Sequence, residues 1–162
     1  MALKELHEET GAPRGRTILF TGDGSMQLTM QEIGTMVTYG LQPILVVLNN
    51  AGYTIERVIH GARQKYNDIN RAKYEHMLPF FGHSNAAQCY RRVENKEQFG
   101  PKILEDKSLA APKEVQVIEL VLDTFDVPWR LTKILSMKGP PAIEKLTKAG
   151  FIGPGKVGVG DR

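Results

Sequence analysis

The chain has 162 residues, of which 41% are hydrophobic and 24% charged, the composition of a globular domain rather than of a disordered or fibrous chain. Its 21 lysines and arginines exceed its 18 acidic residues by only +3, which argues against nucleic acid or a membrane surface as a partner. The single cysteine, Cys89, excludes a disulfide framework, and no apolar run reaches the roughly 20 residues of a membrane span, so we expect a cytoplasmic protein.

Two predicted strands with a helix between them open the chain. The apolar run at 17–20 ends at a Gly-Asp-Gly turn signal centred on Asp23. Beyond that turn, apolar residues recur at steps of four, three and four, which predicts one helix with these residues on its buried face: Met26, Met30, Ile33 and Val37. The aliphatic run at 44–48 then predicts a strand buried on both sides, as in a parallel sheet.

The remaining elements continue the alternation. Polar residues dominate 57–76, which we interpret as a helix start followed by a loop or short helices, with the charged stretch 57–75 as a solvated face. Strands are predicted at 89–93 and 115–122, with a helix at 96–105 and a last helix through Leu135. The pattern predicts an α/β fold with a parallel sheet and helices on both faces. Residues 1–135 would form the domain, and the Gly- and Pro-rich segment 136–162 an irregular tail.

Polar residues follow the first two predicted strands directly. Asp23 comes after one strand, and Asn49 and Asn50 end the next. Since one helix connects the two strands, a right-handed crossover would bring these residues to the same edge of the sheet. Ligands of open α/β sheets bind at this edge.

These residue types suit a hard cation beside a phosphate group. Asp23 offers a carboxylate and Asn50 an amide oxygen, and Gly52 could turn its backbone carbonyl inward. Mg²⁺ accepts such ligands and commonly completes its shell with water and phosphate oxygens. Gly22 and Gly24 allow the backbone to approach an anion closely, and Ser25 adds a hydroxyl. We interpret the stretch as a metal-bridged diphosphate site.

Each of these features also has an ordinary structural explanation. A Gly-Asp-Gly turn alone is a common way to leave a strand, and a first-turn glutamate such as Glu56 is favoured by the helix dipole. The spacing of His60, His76 and His83 does not predict a zinc site, so we expect surface or loop histidines. Cys89 is expected to be a small buried residue.

The segments GDGS and NNAGYTIE, with 27 positions from Asp23 to Asn50, resemble the thiamine-diphosphate motif of the 2-oxo-acid decarboxylases. The resemblance is closest to the fungal pyruvate decarboxylases. It covers about residues 14–135 and includes the run VIELVLDTFDVP.

The resemblance implies an α/β thiamine-diphosphate-binding domain with Mg²⁺ and thiamine diphosphate as cofactors. The implied metal ligands are Asp23, Asn50 and the Gly52 carbonyl. Glu56 matches the family's catalytic glutamate. The implied cofactor contacts, which include the metal ligands, are Gly22, Asp23, Gly24, Ser25, Asn50, Gly52, Tyr53 and Ile55.

The implied activity is decarboxylation of a small 2-oxo acid, with pyruvate to acetaldehyde and CO₂ as the favoured reaction. The resemblance places the other catalytic groups in an N-terminal region that this sequence does not contain. We therefore expect the chain to need that region, or a homo-oligomeric partner, for activity, and to carry an uncovered strand edge and apolar faces. The alternative is a non-catalytic remnant or interaction module of the same fold.

Overall fold

The computed structural model describes residues 2–11 and 15–153. Four parallel strands form one sheet in the order β1-β2-β4-β3: β1 Ile18–Gly22, β2 Ile44–Asn49, β3 Tyr90–Val93 and β4 Gln116–Val121. The α-helices are α1 Ala2–Thr10, α2 Asp23–Thr29, α3 Glu32–Thr38, α4 Thr54–His60, α5 Met77–Phe80, α6 Lys96–Phe99, α7 Lys107–Ala110, α8 Trp129–Ser136 and α9 Pro140–Lys148. A π-helical turn, Gly100–Leu104, follows α6.

The chain divides into two compact units, and the sheet belongs to the first, residues 1–49 and 72–121. Alternate residues of β2 point to opposite faces, so Leu45 and Val47 enter one core cluster while Ile44 and Val46 enter another. Ile33 of α3 packs in the first cluster and Leu109 of α7 in the second. Helices therefore cover both faces of a parallel sheet, and the predicted α/β class is confirmed.

The helix predicted between the first two strands is divided in the structure. Helix α2 ends at Thr29 and α3 begins at Glu32, with a turn between them. Both pieces still bury apolar residues of the predicted stripe, Met26 from α2 and Ile33 from α3. The periodicity therefore identified the buried face and missed the break, because either arrangement keeps the same spacing of apolar residues.

Strand β1 is an edge strand with poorly covered side chains. Phe20 is 66% exposed, and Ile18 and Leu19 are each nearly half exposed. Such residues on an outer strand of a parallel sheet are ordinarily buried, because both faces of these sheets are covered. The predicted uncovered apolar surface is thus present on β1.

The second unit, residues 50–71 and 122–162, has its own small core. Val58 of α4 packs in one buried cluster with Leu146 of α9 and Phe151. The prediction of an irregular tail is therefore wrong over Pro140–Lys148. Proline is well tolerated at the first helical positions, and Leu146 supplies the apolar residue that fixes the helix on this core. The tail residues 154–162 lie outside the described residues.

The described helices include none that is long and apolar enough to cross a membrane.

Candidate functional site

Asp23 begins α2 directly after β1, and its side chain is buried. Only 3% of its surface is exposed, and its carboxylate Oδ1 accepts a 2.8 Å hydrogen bond from the backbone N–H of Gly24. Gly22 precedes it in extended conformation, and a Cβ at Gly22 would meet open space. Ser25 is exposed on the first turn. The first unit therefore presents a buried carboxylate beside an unobstructed backbone.

The register of β1 and β2 puts the second polar strand end at the same edge. Gly22 pairs with Leu48, so Asp23 and Asn49 each follow a paired position. Asn49 donates from Nδ2 to Glu119 Oε1 at 2.6 Å. The predicted meeting of the β1 and β2 carboxyl ends is therefore confirmed for Asp23 and Asn49.

Glu119 is a buried acid in the middle of the sheet that sequence analysis missed. It is 0% exposed and is held by Arg92 Nη1 at 2.9 Å, by Tyr90 Oη and by Asn49. Burial, with this carboxylate, raises the pKa of Tyr90 well above the usual range. The sequence did contain one signal, a single glutamate within the aliphatic run VIELV. Because an unpaired buried charge is very costly, a glutamate in a buried strand indicates buried hydrogen-bond partners.

In the second unit the chain after β2 forms a tight loop. Ala51 has a φ of 60° and Gly52 a φ of 138°, and the Thr54 N–H donates to the Gly52 carbonyl at 3.1 Å. With Tyr53 at φ −86° and ψ 75°, this is an inverse γ-turn. A Cβ on Gly52 would overlap the Asn67 carbonyl oxygen and lie 2.9 Å from Arg57 Nη2. Glycine is therefore required at position 52 by both space and backbone angle.

The buried Arg57 side chain donates hydrogen bonds to the backbone of this loop. It is 5% exposed, and Nη2 donates to the carbonyls of Ala51 at 3.4 Å and Asn67 at 3.2 Å and to Asp68 Oδ1 at 2.5 Å. Its Nη1 donates to the Ala62 carbonyl at 3.2 Å. One guanidinium with several donors thus holds separate stretches of loop backbone in place.

The interpretation of 57–75 as a solvated face is wrong at three positions. Arg57, Asn67 and Tyr74 are all at least 94% buried. Asn67 donates from Nδ2 to the Gly61 carbonyl at 3.1 Å, so these polar groups are buried with hydrogen-bond partners. Composition alone predicted solvent exposure, because it does not reveal which polar side chains form hydrogen bonds with the backbone of a loop and are buried there.

The candidate catalytic glutamate lies on the first turn of α4. Glu56 is 45% exposed at its side chain, and its Oε2 lies 3.2 Å from His60 Nε2, one helical turn further along. Ile55 is 55% and Tyr53 41% exposed. These three side chains of the second unit are therefore accessible to a ligand, while Thr54 is anchored through Oγ1 to the Thr124 carbonyl at 2.9 Å.

The three candidate histidines differ in their exposure to solvent. His60 and His76 are exposed, and His83 lies in the loop after α5, so all three are surface or loop residues as expected, although His83 is only 8% exposed. Cys89 is 4% exposed, as expected for a small buried residue. Burial raises the pKa of its thiol.

Fold and site together define an α/β ligand-binding domain in which polar residues follow the carboxyl ends of parallel strands. The family model described as thiamine pyrophosphate enzyme, C-terminal TPP binding domain, matches residues 2–119. The chain therefore belongs to this family, and the resemblance drawn from its motifs is confirmed.

Curated relatives agree with this assignment. The chain is 45% identical over 123 residues to pyruvate decarboxylase isozyme 1 of Saccharomyces cerevisiae, covering 75% of this chain and 21% of the relative. It is 46% identical over 123 residues to pyruvate decarboxylase of Kluyveromyces marxianus, with the same coverage of 75% and 21%. The chain thus spans about a fifth of the length of these relatives.

A solved structure shares the fold. The thiamine diphosphate-dependent 4-hydroxybenzoylformate decarboxylase of Rhodococcus jostii RHA1 superposes with a TM-score of 0.53 at 19% identity. The match covers 69% of this chain and 20% of that one.

Proposed function

We propose that this chain binds the diphosphate of thiamine diphosphate through Mg²⁺ as part of a non-oxidative 2-oxo-acid decarboxylase. The observation that carries the proposal is the buried Asp23 carboxylate directly after a strand of a domain in the thiamine pyrophosphate enzyme family. The favoured reaction is conversion of pyruvate to acetaldehyde and CO₂, the activity for which the fungal relatives are named.

The residues fit a hard cation. We assign the metal to the Asp23 carboxylate, the Asn50 amide oxygen and the Gly52 carbonyl, which together form an all-oxygen donor set. Two observations support this set. The Asp23 carboxylate is oriented by the Gly24 N–H, and the Gly52 carbonyl belongs to a loop whose shape admits only glycine at that position.

The cofactor contacts are proposed on the motif residues. Gly22, Gly24 and Ser25 would bind the diphosphate, because the open space at Gly22 leaves room for a bulky anion. Tyr53 and Ile55 would pack against the organic part of the cofactor, since both expose apolar surface after the loop. Thiamine diphosphate, when bound, supplies the nucleophilic carbon and the electron sink for loss of CO₂.

Glu56 is the proposed acid–base group. Its carboxyl is accessible and lies within hydrogen-bonding distance of His60, so the pair could pass a proton to or from a bound substrate. Arg57, beside it in sequence, is instead used for loop structure through its buried contacts with Ala51 and Asn67.

We propose the properties of the whole enzyme as part of the same hypothesis. A small 2-oxo acid substrate, a homo-oligomeric or completing N-terminal partner and a cytoplasmic location are all proposed. The alternative is a non-catalytic interaction module, which is favoured by the exposed apolar side chains of β1, Ile18, Leu19 and Phe20.

Glu56→Gln tests the catalytic assignment. In the enzyme completed with the N-terminal region of a relative, it should lower turnover of pyruvate by about 10²- to 10⁴-fold, the usual contribution of a general acid or base. Binding of thiamine diphosphate should be unchanged, because Glu56 is not among the assigned metal ligands. Glu75→Gln, an exposed glutamate, is the control. Unchanged turnover in Glu56→Gln would remove the catalytic role, and a completed enzyme without any decarboxylation would favour the interaction module.

A further inference from the structure

Three different metal-ligating side chains of the first unit lie together, and the proposed function uses none of them. Each of His83, Cys89 and Glu114 offers one ligand atom, and these atoms all lie within 4.8 Å of one another. His83 and Cys89 are 8% and 4% exposed, and Glu114 is partly exposed. His83 lies in the loop after α5, Cys89 directly precedes β3, and Glu114 lies in the loop before β4.

The spacing is close to that of a zinc site. The Cys89 Sγ and the Glu114 Oε2 are 3.6 Å apart. Zinc bonds of about 2.3 Å to sulfur and 2.1 Å to oxygen at a tetrahedral angle separate the two ligand atoms by about 3.6 Å. This pair therefore needs no movement to bind one ion, and the His83 nitrogen, which lies within 4.8 Å of both atoms, needs to approach by at most about 1.4 Å.

Neighbouring polar groups hold two of the three ligands, Cys89 and Glu114, in place. Gln116 donates from Nε2 to Cys89 Sγ at 3.3 Å, and its own Oε1 is fixed by Arg91 Nη1 at 2.6 Å. Asn85 donates from Nδ2 to both Glu114 carboxylate oxygens at 3.2 Å. Such outer contacts orient the ligands of metal sites and contribute to their affinity.

We propose that His83, Cys89 and Glu114 bind a Zn²⁺-type divalent cation, with the fourth coordination position open. A cavity of about 130 Å³ adjoins His83 and Glu114 and provides the space for a water or other small ligand at that position. Binding replaces the thiol proton of Cys89, which is released to solvent as the sulfur–metal bond forms. A metal on His83 Nδ1 also takes the place of the Asn85 N–H that donates to this nitrogen at 3.2 Å.

Cobalt(II) titration of the full chain is the test, because a thiolate bound to Co²⁺ gives a charge-transfer absorption band in the near ultraviolet. The chain has one cysteine, so any such band reports Cys89 alone. We expect a saturable band at one equivalent that Zn²⁺ abolishes and that excess Mg²⁺ leaves unchanged, since Mg²⁺ prefers oxygen ligands. A wild-type chain without this band overturns the proposal.

Variants separate the site from adventitious binding. Glu114→Gln should retain the fold, verified by circular dichroism, and should weaken Co²⁺ binding by more than about tenfold. The control is Glu144→Gln, which changes an exposed carboxylate and should leave Co²⁺ binding unchanged. Gln116→Met should weaken binding about 10- to 100-fold through loss of the contact to sulfur, and this second variant decides the outcome if the first does not fold. Equal affinity in Gln116→Met and wild type overturns the proposal. Asp23→Ala should keep the band, so this test is independent of the proposed function.

Discussion

At the scale of single residues, position 52 is the most tightly constrained residue of the candidate site. Gly52 has a φ of 138°, and a side chain there would overlap the Asn67 carbonyl and approach Arg57 Nη2. The sequence motif indicated that a glycine follows the asparagine pair, but the carbonyl that a side chain would overlap belongs to Asn67, in a loop more than ten residues later. Such partners cannot be identified from local sequence.

Gly52→Ala should therefore lower the free energy of unfolding by about 3 kcal/mol or more, from backbone strain plus overlap. Gly150→Ala is the matched control, because Gly150 has a φ of 84° in the same unit and a Cβ there meets nothing within 4 Å. The control should cost about 1–2 kcal/mol. Urea unfolding measures both, and equal losses would show that the Asn67 carbonyl is not a steric constraint.

Tyr74 gives the first unit a pH-dependent component of stability. Burial, together with the carboxylates of Asp23 and Glu119, raises its pKa to about 12. The unfolded phenol ionises near pH 10, so between pH 10 and 12 the unfolded chain loses a proton that the folded chain keeps. Stability is complete below pH 10 and falls as the pH rises through this window.

Comparison with Tyr74→Phe isolates this effect, because the other titrating groups are common to both chains. Between pH 8 and pH 11 the wild type should lose about 1 kcal/mol more than the variant. Urea midpoints at the two pH values provide the measurement. Parallel losses in both chains would show that burial of this phenol does not disfavour its ionised form.

At the scale of elements, the sequence predicted the strands well and the helices less well. Aliphatic runs identified β2 and β4 because strands buried on both faces have continuous apolar sequences. The break between α2 and α3 was missed, and so was α9. Helix α9 has few apolar residues, and Leu146 becomes informative only when its packing with Val58 and Phe151 is known.

Helix α9 is expected to contribute substantially to the second unit. Leu146→Ala should cost about 2–5 kcal/mol, the range for removing a buried leucine side chain, because Leu146 is only 3% exposed. Ile143→Ala, on the same helix but 41% exposed, should cost under about 1 kcal/mol. Thermal or urea unfolding distinguishes them. Similar small losses for both would mean that α9 does not pack on this core in solution.

At the scale of the whole molecule, the chain carries one family domain and spans about a fifth of the length of the relatives it matches. Asp23 and Asn50 could be proposed from sequence because they follow two neighbouring predicted strands, and Glu56 could be proposed because its motif resembles that of the family. The roles of Arg57, of Glu119 and of the group His83, Cys89 and Glu114 could not be proposed from sequence, because they depend on contacts between segments distant in sequence. A binding measurement can test the proposed metal and diphosphate ligands directly.

Calorimetric titration of the chain with thiamine diphosphate, in Mg²⁺ and in EDTA, is that measurement. We expect saturable binding only with Mg²⁺, more than about tenfold weaker binding for Asp23→Ala, and unchanged binding for Glu97→Ala, which removes an exposed charge. Folding of each variant is verified by circular dichroism. Absence of metal-dependent binding in the wild type, or normal binding by a folded Asp23→Ala chain, would contradict the proposed cofactor site.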